Sequence, residues 1–159
     1  TPMNTLYLNW IGDVFPQSKF IHIIRDGRDV ASSYLKMERY STILEAANRW
    51  TNSIELAQAF GSKIKDNYME IRYEDLVTNP DKSIKEVCAF LDINYNSDIL
   101  DHTSQVEKLG DTDKSHHANL SKPISSESIG KWKHNLSESD QESITRLLQN
   151  PLRRLGYVD

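Results

Sequence analysis

The spacing of apolar positions changes several times along this chain, and each change marks an element. From Asn4 to Phe15, Leu6, Tyr7, Trp10, Ile11 and Val14 recur at helical spacing. The segment therefore predicts an amphipathic helix that ends before Pro16. Phe20-Ile21-His22-Ile23-Ile24 follows as a nearly continuous, β-branched apolar run, the pattern of a parallel strand covered on both faces. His22 inside it reads as a satisfied strand histidine rather than a ligand. Arg25-Asp26-Gly27-Arg28-Asp29 breaks the run, and Val30, Ala31, Tyr34 and Leu35 then resume a helical period. Ile43, Ala46, Ala47, Trp50, Ile54, Ala57 and Phe60 form a long helical stripe of core positions, with Gly61 as its stop signal. Tyr68 to Tyr73 predicts a second strand, which Glu74-Asp75-Leu76 leaves and Asn79-Pro80 follows as a turn. Asp81 is placed to cap a helix that buries Ile84, Val87, Cys88 and Leu91. From about Asn94 to Glu127 the periodicity lapses, the pattern of a long loop. A last helix is expected over Glu138 to Gln149, with Ile144, Leu147 and Leu148 inward and Asn150-Pro151 ending it.

The order helix, strand, helices, strand, helices predicts an α/β fold: a parallel sheet flanked by helices. With 159 residues the chain reads as one domain, 1–159. Hydrophobic residues make up 38%, enough for a real core and against intrinsic disorder. The net charge of −4 excludes a generally basic nucleic-acid coat, while leaving room for a local basic pocket. No apolar run approaches the roughly 20 residues of a membrane span, and no signal segment is visible. Cys88 is the single cysteine, so no internal disulfide forms; it reads as a packed thiol, and a cytoplasmic setting is expected.

Chemistry concentrates where the first strand ends. Arg25 stands at the strand's carboxyl end, where open α/β sheets bind ligands, and a helix start with free N–H groups follows. Ser33 lies eight residues further on. A guanidinium fork and a serine hydroxyl suit a phosphate. The competing reading is a solvated charge cluster in which Arg25, Asp26, Arg28 and Asp29 pair locally. Elsewhere, His116-His117 lack the spacing of a strong metal site, and no metal is expected. Glu74 and Asp75 read as strand-end structure, and Trp132 as a loop anchor.

The stretch Phe20 to Tyr34, FIHIIRDGRDVASSY, closely resembles the 3′-phosphate-binding element of PAPS-dependent sulfotransferases. That resemblance implies that Arg25 and Ser33 hold the 3′-phosphate of the donor, with Arg28 and Asp29 organising the turn. Arg72-Tyr73-Glu74-Asp75-Leu76 with Asn79-Pro80 is similar to the family's tyrosine segment, which carries Tyr73 over to the adenine. Lys122-Pro123 and Ile129-Gly130-Lys131-Trp132-Lys133 resemble the late nucleotide-closing segment, in the style of bacterial and tyrosylprotein sulfotransferases. Lys122 is thereby assigned to the donor's phosphates. Ser104 to Lys108 resembles an adenine-side loop, and Leu152 to Tyr157 a common family ending. The chain departs from cytosolic relatives at Ser125-Ser126-Glu127, where they carry Arg-Lys-Gly. It departs from tyrosylprotein enzymes at Met37, where they carry a base.

The resemblance implies a P-loop-nucleotide-kinase-like sulfotransferase fold without its N-terminal P-loop portion. Thr1-Pro2-Met3-Asn4 looks like the remainder of a Lys-Thr-Pro segment. The implied reaction moves a sulfuryl group from PAPS to an acceptor hydroxyl or amine, releasing PAP. This chain would supply the 3′-phosphate and adenine half of the donor site and would not turn over alone. Catalytic base and acceptor are not readable. Exposed apolar surface is expected where a further strand belongs, met by a homodimer, strand exchange or a companion segment. Two readings stay open beside this one: a P-loop kinase relative, and a nucleotide-binding module without transfer activity.

Overall fold

The computed structural model describes residues 2–101 and 123–159. The chain divides into two compact units, Thr1–Arg72 with Glu127–Asp159, and Tyr73–Ser126. The first unit is α/β, as the sequence predicts. Strand β1 (Phe20–Ile24) pairs in parallel with β2 (Tyr68–Arg72), in a register that sets Phe20 opposite Tyr68 and Ile24 opposite Arg72. Parallel neighbours need a long crossover, and two helices supply it. They are α2 (Gly27–Lys36) and α3 (Ile43–Gly61).

Helix α3 follows its sequence pattern closely. Thr42 and Glu45 form a reciprocal capping box at its start. Ala46, Ala47, Trp50, Ile54, Ala57 and Phe60 are buried along one stripe. Gly61 ends the helix by a different route from a left-handed cap. A β-carbon there would lie 2.3 Å from the Tyr68 ring, so glycine admits β2 at close range. The helix closes instead on Ser62, in right-handed conformation.

The core joins Ile24 of β1, Ala31 of α2 and four α3 residues (Ala46, Ala47, Trp50 and Ile54) to Ile144, Leu148 and Leu152 from the end of the chain. The last three come from α7 (Glu138–Leu147), α8 (Gln149–Arg154) and the residue between them. Here the expected single helix is corrected. Pro151 does not end a helix; it sits in the first turn of α8, where its missing N–H costs nothing. The resulting break turns Leu148 and Leu152 inward and leaves Leu147 exposed.

The first segment also differs from its prediction. A 3-10 turn (Pro2–Leu6) precedes α1 (Leu8–Val14), so the expected helix is shorter. Its apolar stripe is exposed: Leu6, Tyr7, Trp10 and Val14 all face solvent, Trp10 at 65%. Strand β1 is likewise covered on one face only. Ile21 and Ile23 remain exposed while Ile24 is buried.

In the second unit α4 (Tyr73–Thr78) and α5 (Pro80–Leu91) follow one another. Tyr73 thus opens a helix instead of ending a strand. Pro80 takes the first position of α5 after Asn79, and Asp81 stands inside the helix, not at its cap. Cys88 is a buried free thiol, as read from the sequence. Asp92, in left-handed conformation, closes α5. A 3-10 turn (Ser97–Leu100) follows.

Candidate functional site

Among the described residues the buried carboxylates, Asp26 and Asp29, both stand where β1 turns into α2. Asp26 is the N-cap of α2 and accepts the Arg28 N–H at 2.9 Å. Its carboxylate also takes the Arg28 guanidinium, with Nη2 at 2.7 Å from Oδ2 and Nε at 3.0 Å from Oδ1. Such a two-pronged pair fixes the arginine's plane as well as its charge. That plane stacks on Trp132, 4.4 Å from the ring centre.

Gly27 makes this packing possible. A β-carbon at position 27 would come within 2.7 Å of both the Trp50 ring and Leu148. The Trp50 indole N–H donates to the Arg25 carbonyl at 3.1 Å, tying the strand end to the core. Trp50 is therefore a core residue with a polar tether, consistent with its sequence reading.

Asp29 reaches furthest along the chain. It is 3% exposed, and its two oxygens accept the main-chain N–H groups of Gly130 at 2.8 Å and Trp132 at 2.9 Å. Gly130 lies 101 positions away and adopts φ +73, a conformation that favours glycine. Trp132 opens the short helix α6 (Trp132–Asn135) and is buried. The Arg25 guanidinium donates to the Ser128 carbonyl and stands 3.7 Å from the Asp29 carboxylate. The turn and the late Gly-Lys-Trp segment, both singled out in the sequence, are thus one structure. The local pairs of the competing reading are present, but their carboxylates are buried and their arginines half-buried.

The sequence-predicted site residues divide as follows. Arg25 and Ser33 share the strand–turn–helix of the first unit. The Ser33 hydroxyl donates to the Met37 thioether at 3.8 Å, a weak acceptor that a stronger one would displace. Tyr73 is half-buried in the second unit, at the start of α4. Lys122, Ser104 to Lys108 and His116-His117 lie outside the described residues. Among the described residues no group of three His, Cys, Asp or Glu is arranged to hold a metal. None of their helices is long and apolar enough to cross a membrane.

Two further features adjoin Arg25. A cleft of about 520 Å3 runs along β1, lined by Arg25, Val30, Tyr34 and Trp50 near the turn and by His22 and Tyr68 further along. Ser33 does not line it. Within it His22 Nδ1 lies 2.7 Å from the Tyr68 hydroxyl, which donates to Glu70 at 3.0 Å. Burial holds His22 below its ordinary pKa of 6.5, outweighing the opposing pull of Glu70. Burial, with Glu70 second, pushes the Tyr68 hydroxyl well above the usual tyrosine range. His22 is therefore a neutral, partnered strand histidine, as its setting in the sequence predicts.

The profile described as "Sulfotransferase family" matches residues 1–97. Among curated proteins the chain is similar to protein-tyrosine sulfotransferase 1 of Danio rerio, 28% identical over 94% of this chain and 45% of that protein. It is also similar to protein-tyrosine sulfotransferase A of Caenorhabditis elegans, 26% identical over 93% of this chain and 41% of that protein. The chain spans less than half the length of these relatives. Its fold is shared with the sulfotransferase domain from the Synechococcus PCC 7002 olefin synthase. That match has a TM-score of 0.74 and 22% identity, over 93% of this chain and 55% of that one. The sulfotransferase domain from the curacin biosynthetic pathway superposes with a TM-score of 0.69 and 24% identity, covering 93% of this chain and 59% of that one. The family profile takes in well over half of the chain, including the whole strand–turn–helix around Arg25, and on that ground the chain belongs to the sulfotransferase family.

Proposed function

We propose that this chain binds the nucleotide of PAPS for sulfuryl transfer to an acceptor hydroxyl or amine. It supplies the 3′-phosphate and adenine half of the donor site, as one part of a single sulfotransferase domain. Arg25 and Ser33 take the 3′-phosphate, Tyr73 lies beside the adenine, and Lys122 reaches the donor's phosphates. One observation carries the reading: Arg25 stands at the carboxyl end of a parallel strand, directly before the turn in which Asp26 pairs with Arg28 and caps α2. Asp26 and Arg28 neutralise each other, and both Asp29 oxygens are occupied by N–H groups. A guanidinium fork at Arg25 and the Ser33 hydroxyl, on the same strand–turn–helix, are groups suited to a phosphate.

In the reaction an acceptor lone pair forms a bond to sulfur while the bond from sulfur to the bridging phosphate oxygen breaks. The acceptor proton passes to a base, and the nucleotide leaves as adenosine 3′,5′-bisphosphate. Such a transfer depends on positioning and on stabilising charge on the oxygens around the reacting centre. The residues assigned above hold the nucleotide and do not supply the base. The isolated chain therefore binds the bisphosphate without turning over PAPS.

Calorimetry on the purified chain tests this. Adenosine 3′,5′-bisphosphate should bind, and adenosine 5′-monophosphate, lacking the 3′-phosphate, should bind at least tenfold more weakly, the least that one charge-assisted hydrogen bond confers. Equal affinities would contradict a 3′-phosphate site. Sulfate transfer by the isolated chain would contradict its proposed division of labour. A nucleoside kinase relative would instead prefer a nucleoside triphosphate.

A further inference from the structure

We propose that Asp29 is a positioning residue that couples the late segment 128–132 to Arg25 and so sets the affinity for the 3′-phosphate; this rests on the donor-site reading above. Three observations converge on it. The Asp29 carboxylate is 3% exposed and accepts the N–H groups of both Gly130 and Trp132. The same carboxylate stands 3.7 Å from Arg25 Nη2. Arg25 in turn donates to the carbonyl of Ser128, in the segment that Asp29 holds.

These contacts form a closed loop of four parts: Asp29, the 130–132 main chain, the Ser128 carbonyl and the Arg25 guanidinium. A buried carboxylate tolerates burial only when hydrogen bonds and charge satisfy it. Here two N–H donors and one guanidinium do so. Asp29 has no reason to meet a phosphate, which would repel it. It acts through Arg25, by fixing the plane of a side chain that otherwise has many rotamers. The Arg28 guanidinium, stacked on the Trp132 ring, contacts the same segment.

The test compares Asp29→Asn with the unmodified chain, each alone and with Arg25→Ala. Asparagine keeps the volume and one acceptor but loses the charge. Amide exchange at Gly130 and Trp132 should quicken about tenfold, with protection at Ala46 and Ala47 in α3 unchanged. Affinity for adenosine 3′,5′-bisphosphate should fall about tenfold, while that for adenosine 5′-monophosphate stays the same. With Arg25 already replaced, Asp29→Asn should cause no further loss. Asp29→Glu, which keeps the charge, should recover part of the affinity and is the variant to read if Asp29→Asn exposes the α3 amides. Unchanged bisphosphate affinity in Asp29→Asn, or a loss that adds to that of Arg25→Ala, would overturn the coupling and leave the donor-site reading intact. Failure of the unmodified chain to bind the bisphosphate would overturn both.

Discussion

Two charged clusters, one in each unit, use similar residues to opposite effect. In the first unit Asp26 and Asp29 are buried and Arg28 is half-buried, and they bind partners as far as 129 positions away. In the second, Asp81 accepts from Lys85 at 2.6 Å and from Tyr95 at 2.5 Å, all on an exposed surface. Those two donors, Lys85 first, hold the Asp81 carboxyl below the usual carboxylate range. The same contact pushes the Tyr95 hydroxyl up to about 12. By bond length alone the second cluster is the stronger. Water screens it, however, and its main link spans one helical turn. The first cluster closes a loop of a hundred residues around a buried charge, so its loss leaves the buried Trp132 N–H without its acceptor. Burial and sequence separation, rather than distance, decide which cluster organises the fold.

The contrast can be broken by substitution. Asp29→Ala strands the N–H groups of Gly130 and Trp132 and should destabilise the first unit by about 3 kcal/mol, measured by urea unfolding. Gly27→Ala drives a methyl group into Trp50 and Leu148 and should cost about 2 kcal/mol in the same assay. His22 gives a smaller, pH-dependent effect. Its folded pKa lies below 6.5, so the unfolded chain binds more protons as pH falls past that value. Stability is then fully present above pH 6.5 and declines below it until the folded pKa is passed. His22→Asn should flatten that decline; an unchanged profile would mean that other groups carry it. Lys85→Ala should leave the unfolding midpoint unmoved, the smallest effect of the set.

Much of the fold was legible in the sequence because its signals are local. The α3 stripe from Ile43 to Phe60 repeats for five turns, and the β1 run is bounded by charges on its carboxyl side. Misreadings arose where one residue type serves two purposes. Gly61 was rightly read as the end of α3, but its second purpose, the close approach of Tyr68, leaves no local signal. Pro151 looked like an end and is part of a beginning. The Leu6 to Val14 stripe identified an apolar face, but periodicity does not say whether anything covers that face, and here it is exposed.

The candidate site was legible in part for the same reason. Arg25 and Ser33 lie within one strand–turn–helix, so local spacing and the family resemblance could single them out together. The role of Asp29 could not be read that way. Its partners Gly130 and Trp132 were both noted, yet only folding reveals that a carboxylate 101 positions away binds them.

The central claim is that Arg25 recognises a 3′-phosphate, and titration calorimetry of Arg25→Ala tests it most directly. Binding of adenosine 3′,5′-bisphosphate should weaken by about 1.5–3 kcal/mol, the scale of a charge-assisted hydrogen bond, while binding of adenosine 5′-monophosphate should not change. Equal weakening of both nucleotides, or of neither, would contradict it.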